Sequence, residues 1–210
     1  MAASEVTVSR ERNRERMLWL IAGSILALSA AIQAFQRMPG ALDGGTMAAL
    51  GWTSVAAFGV AMVVAGLALW STPGPAPVMR AASVSCVALG VWAAAVAPLV
   101  LRALASEAAS GADALPYVDA IVRIVLCGIA TGCLARSDVA APWRYLPLIA
   151  FGVVVAARLS TQIPAQSADA QSALLALYSL VMLVEIVATA TLAAVAFRLA
   201  RPRSRSTVVL

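Results

Sequence analysis

The chain has 210 residues, 62% of them hydrophobic and only 12% charged, with a formal net charge of +5 and a mean hydropathy of +0.90. Soluble domains hold roughly 45–50% apolar residues, so this composition excludes an ordinary soluble domain and leaves a polytopic membrane protein. The chain contains neither His nor Lys. It therefore lacks His-ligated haem, zinc or copper, Ser–His and Cys–His nucleophile pairs, Schiff-base lysines and a phosphate-cradling P-loop. No metal site and no cofactor is expected from its own residues, and catalysis is disfavoured.

The pI near 9.9 would suggest nucleic acid in a soluble protein. Here the basic residues cluster beside apolar stretches, so anionic lipid headgroups are the expected partner and nucleic acid is not.

Residues 1–16 form a basic tail with Arg10, Arg12, Arg14 and Arg16 interleaved with Glu11 and Glu15. The Glu/Arg spacing predicts that the first helix begins before the membrane, around Ser9–Arg16. The first apolar stretch, Met17–Phe35, carries a cleavage-like Ala27-Leu28-Ser29. Its run exceeds the 7–15 residues of a secretory leader, and it reads as a retained span. Pro39-Gly40 and Gly44-Gly45 then turn the chain into a second span, Met47–Trp70. Ser71–Pro77, with three prolines, is a stiff connection that cannot be helical.

The third span is Ala81–Leu101, and Pro98 should bend it near its far end. Ala103–Pro116 is the longest connection. The fourth span, Tyr117–Ala135, places Asp119, Arg123, Cys127 and Thr131 on one face at intervals of four. Asp119 and Arg123 can pair along that face, which lowers the cost of carrying both in a membrane. Gly128 and Gly132 form a GxxxG spacing, expected to let another helix backbone approach closely. Cys127 and Cys133 point to different faces, so no bridge joins them, and the cysteines read as small buried hydrophobes.

The fifth span, Tyr145–Gln162, has Pro147 in its first turn, where a missing N–H costs little. It must include Arg158, because the thirteen residues before it are too few to cross. Arg158 either snorkels outward or turns toward Asp119 or Glu185. The sixth span, Ser172–Leu199, carries Glu185 near its middle. A carboxylate there costs on the order of 2.5–3.5 kcal/mol by insertion scales, so it needs a partner, water or a proton. Gln171, Tyr178, Glu185 and Thr189 form a stripe expected to face the bundle interior. Residues 201–210 close the chain as a second basic tail.

The six stretches are about 18 to 28 residues long, and about 20 residues cross a hydrocarbon core. The fold class expected is thus all-α, a bundle of six transmembrane helices over residues 17–200 with short loops. Six crossings put eleven arginines on one side and Arg37, Arg102 and Arg158 on the other, with Arg123 within a span. That asymmetry predicts an inner-membrane protein with both termini cytoplasmic. Arg37, Arg102 and Arg158 each precede an acid, Asp43, Asp113 or Asp169, which suits cations at helix C-termini and acids at the next N-termini. Trp19, Trp70, Trp143, Tyr117 and Tyr145 read as an interfacial belt, and Trp52 and Trp92 as interior packing.

Three functions fit these residues. The favoured one is a transporter or channel, or the membrane part of one, with an outer-half polar cavity built from Glu185, Asp119, Arg123, Arg158, Tyr178 and Thr189. The alternative is an accessory or assembly subunit that meets partner membrane subunits or another copy of itself through Gly128 and Gly132. A lipid-modifying enzyme using an acidic residue comes third, because no nucleophile or paired-carboxylate motif supports it.

Overall fold

The computed structural model describes residues 2–37, 43–72, 76–100, 115–137, 143–160 and 168–201. Those residues form six helices, α1 (Ala2–Phe35), α2 (Gly44–Ser71), α3 (Ala76–Val91, continued through a π-helical turn at Trp92–Val96), α4 (Leu115–Arg136), α5 (Leu146–Ser160) and α6 (Ala168–Ala200). Five are long and apolar enough to cross a membrane. The exception is α5, whose 15 residues extend about 22 Å at 1.5 Å per residue.

Each helix packs against its neighbours in sequence, and α6 returns to pack on α1, so the six close into a ring. Paired contacts show the direction of travel. Ser29 meets Ser54 and Gln36 meets Met47, so α1 and α2 are antiparallel. Gly59 lies by Gly90 and Gly66 by Ser83, so α2 and α3 are antiparallel as well. Arg16 donates from Nε to the Ala200 carbonyl at 3.1 Å, which places the start of the α1 span and the end of α6 at one end of the bundle. Arg80, Arg136, Arg144 and Arg198 share that arginine-rich end.

The helix boundaries follow local chemistry. Asp43, with an extended backbone, precedes the first turn of α2 and accepts a hydrogen bond from the Thr46 hydroxyl. That bond holds the Asp43 carboxyl below its ordinary range. Pro147 occupies the second position of α5, where its missing N–H removes no intrahelical bond. Pro98 shows itself as a change of helix type. It cannot donate to the carbonyl four residues back, and just ahead of it the chain widens so that Ala97 N–H reaches Trp92 O.

The buried core lies toward the arginine-rich end and fades with distance from it. Trp19, Leu69, Met79, Cys86 and Ala196 form one cluster, and Leu26, Met62, Leu89 and Ala193 a second at mid-depth. The first is dominated by alanine, whose small side chain brings helices close enough for dispersion to hold them without a water-driven hydrophobic effect. The contribution of α5 to the buried set is Pro147 alone.

Several aromatic placements differ from the sequence reading. Trp19 is buried in the core, 4% exposed, and is no belt residue. Trp52, expected inside, is half exposed on the outer surface. Trp70, Trp143 and Tyr145 are exposed at the arginine-rich end as a belt requires, and Arg80 lies 5.8 Å over the Trp70 ring. The Tyr117 side chain lies outside the described residues.

Candidate functional site

The charged residues within the spans resolve into two pairs on different helices. The first is built where α3 meets α4. Asp119 accepts at Oδ1 from Arg123 Nε, one helical turn away, at 2.8 Å. The same oxygen accepts from the Trp92 indole N–H at 2.8 Å. The π-helical turn begins at Trp92, so the irregularity ahead of Pro98 falls at the residue that reaches the acid. Such turns recur where a side chain must be re-aimed. Below this pair the α4 stripe continues inward: Cys127 packs on the mid-depth cluster, and Thr131 is buried with its hydroxyl donated to Cys127 O at 2.7 Å.

The second pair bridges α5 and α6. Arg158 Nε donates to Glu185 Oε1 at 2.5 Å. Of the two partners weighed for Arg158, the acid it meets is Glu185. The Glu185 side chain is 23% exposed and that of Arg158 is 64% exposed, so the pair is open on the arginine side. Thr189, one turn along, is buried and bonds its hydroxyl to Glu185 O at 2.8 Å. Tyr178 departs from the expected stripe, since its side chain is 49% exposed. The seven-residue step from Glu185 to Tyr178 returns nearly to the same face, but there, about two turns nearer the start of α6, the residue is half exposed. The Gln171 side chain lies outside the described residues.

The GxxxG spacing behaves differently from expectation. A Cβ on Gly128 would meet the Phe151 ring at an ordinary 3.7 Å, and one on Gly132 would meet nothing within 4 Å. Among the described residues the motif brings no backbone close. Close approach occurs in the α2–α3 seam, where a Cβ on Gly59 would lie 2.7 Å from Gly90 O and one on Gly66 2.8 Å from Ser83 O. Ser83 fastens that seam by donating to Gly66 O at 2.6 Å. The signal was present as small residues seven apart, Gly59 with Gly66 and Ser83 with Gly90, a spacing that repeats on one helix face.

A further polar knot went unread. Ser29 is fully buried and its hydroxyl contacts Ser54 O and Ser54 Oγ, both at 3.1 Å, with Gln33 Nε2 3.4 Å away. At the opposite end the Thr72 hydroxyl donates to Glu15 Oε1 at 2.8 Å. Glu15 and Arg16 thus tie α1 to the ends of α2 and α6.

The three cysteines are free thiols, Cys86 buried and the others half-buried. Among the described residues no three Cys, Asp or Glu side chains gather as metal ligands would. The arrangement can hold charge at depth and join helices. No family model, curated protein or solved structure matches the chain.

Proposed function

We propose that this chain is an inner-membrane protein of six crossings, both termini cytoplasmic, that works as a non-catalytic subunit docked to another membrane chain along its α4–α6 side. The observation that carries this reading is the openness of the Arg158–Glu185 pair. Arg158 lies about 18 Å along α5 from Leu146, yet its side chain is 64% exposed. Arg158 lies in the last turn of α5, and against hydrocarbon a cation there is costly, up to about 2.5–3.5 kcal/mol at the centre of a span by insertion scales. A neighbouring chain that presents polar groups over it offsets that cost.

Two features support the same side. The most apolar window of α4 is 17% buried against 44% for α2, so packing is concentrated on the other half of the ring. A helix as short as α5 also crosses a bilayer more readily inside an assembly than alone.

A transporter or channel is the second reading. It is favoured by the position of both charged pairs in the half of the bundle where the buried core thins. In that case water, rather than another chain, covers them.

Purification in mild detergent separates the two. A subunit elutes with a stoichiometric partner or as a defined oligomer, and Arg158→Ala with Glu185→Ala releases it. A monomer that moves ions or solutes when reconstituted alone in vesicles sinks the subunit reading and supports transport.

A further inference from the structure

Gly132, the second glycine of the GxxxG motif, borders a cavity of about 420 Å³ between α4 and α5, at the arginine-rich end. Gly132, Ala135 and Leu148 line its apolar part, and Arg136, Arg144 and Tyr145 its rim. A Cβ on Gly132 would meet nothing within 4 Å, so the space is open beside that position. Charge and apolar lining therefore occur in one cavity, at the level where a bilayer changes from headgroup to chain. The Arg144 guanidinium lies 4.9 Å over the Tyr145 ring, which orients it at the rim. The C-terminus of α4 and the N-terminus of α5 carry opposite partial charges there, so the two arginines set the sign of the potential. Asp138 lies in the connection between them, leaving the segment from Arg136 to Arg144 with two positive charges and one negative.

We infer that this cavity seats one anionic phospholipid, its phosphate between Arg136 and Arg144 and the start of an acyl chain against Gly132 and Leu148. Guanidinium groups match phosphate oxygens with paired donors, and basic hollows between helices at the cytoplasmic face suit such headgroups. Arg144 makes a further interaction besides its ring contact, so its part here is the placement of charge rather than a vacant donor. The volume falls within the range of ordinary small-ligand sites and holds a headgroup with the first few methylenes.

The test is native mass spectrometry of the full chain in mild detergent, titrated with phosphatidylglycerol, phosphatidylcholine of the same acyl chains, or inorganic phosphate. The wild type should hold one phosphatidylglycerol about thirtyfold more tightly than phosphatidylcholine, as expected for two arginines at a membrane surface. Arg136→Gln with Arg144→Gln should abolish that preference, while Arg198→Gln with Arg201→Gln, an equal loss of charge at the same end, should keep it. Gly132→Leu fills the cavity with all charge retained and should weaken both lipids; Leu148→Trp fills it from the α5 wall and should do the same. The site is refuted if phosphatidylglycerol has no advantage, if its advantage survives the Arg136/Arg144 variant or falls equally in the Arg198/Arg201 variant, or if both filled variants bind as the wild type does. Displacement of the lipid by inorganic phosphate would assign the arginines to a free anion and overturn the lipid.

Discussion

Gly59 and Gly90 face each other across the α2–α3 seam, so that a Cβ on Gly90 would run into the Gly59 carbonyl oxygen. Neither helix can carry a side chain there without moving away from the other. Elsewhere in a helix, Gly→Ala gains up to about 1 kcal/mol of propensity. At this seam overpacking costs about 1–3 kcal/mol and outweighs that gain. Gly59→Ala and Gly90→Ala should each lower the unfolding midpoint in a denaturing-detergent titration, whereas Gly132→Ala, in open space, should raise it slightly. Gly59→Ala melting no lower than wild type would show that the seam is looser than described.

Trp92 and Arg123 share one oxygen of Asp119, so the three side chains should behave as a unit. Trp92→Phe keeps the ring and removes the N–H; a hydrogen bond to a charged group contributes about 1.5–3 kcal/mol. Because Asp119 is about one-third exposed, the lower end of that range is expected. Asp119→Asn leaves Arg123 without its counter-charge and should cost more than Trp92→Phe. A double-mutant cycle of Trp92→Phe and Asp119→Ala, which takes away the acceptor as well as the charge, should show coupling; additive effects would mean the indole contact contributes nothing.

Arg158 and Glu185 should tolerate exchange better than separation. Removing one partner leaves an uncompensated charge at depth, which is strongly destabilising. Glu185→Gln and Arg158→Gln should each reduce the yield of folded protein or of its assembly, and Arg158→Glu combined with Glu185→Arg should recover much of it. If the swapped pair does no better than either single change, the contact is not what keeps these residues in place.

Asp43 links pH to the start of α2. Its carboxyl is held below the ordinary value, chiefly by the Thr46 hydroxyl. A folded-state pKa below the unfolded value of about 3.9 stabilises the folded form fully above that value. The contribution is lost as pH falls through the folded pKa. Protection of the Gly45 to Met47 amides, taken relative to their intrinsic exchange rates at each pH, should therefore fall on acidification, and Thr46→Val should move the onset to higher pH. An unchanged onset would assign the shift to backbone donors instead.

Both ends of the chain should be cytoplasmic. A reporter active only outside the cytoplasm should be silent when fused after Leu210 and active when inserted near Ser110. Activity at Leu210 would overturn the orientation and, with it, the leaflet assigned to the Arg136/Arg144 cavity.

The helices were legible in the sequence because burial in a bilayer is written into composition. Some twenty apolar residues and a cluster of turn residues mark five of the six helices whatever their neighbours do, and α5 is shorter. Pro98 announced a distortion, Pro147 a helix start, and Asp119 with Arg123 a turn-to-turn pair, all local relationships set by 3.6-residue geometry. The early start of α1 at Ala2 likewise continues the helix-compatible spacing of its Glu and Arg residues.

What tertiary structure decided was which of many equivalent surfaces meet. In a chain rich in alanine and glycine, close-packing positions look alike, so Gly128-x-x-x-Gly132 and the Gly59/Gly66/Gly90 set could not be ranked from spacing alone. The backbone contacts fell to the second. Depth along a helix also placed Asp119, Arg123, Arg158 and Glu185 at similar levels without saying around which axis they point. The ring order of the helices put Arg158 against Glu185 and Trp92 against Asp119. The sequence by itself determined the helices, their apolar character and the uneven distribution of arginine, since each depends on residues near one another in the chain. The pairing of charges, the glycine seam and the open α4–α5 cavity depend on rotation of one helix against the next, which is set by side-chain packing between segments far apart in sequence.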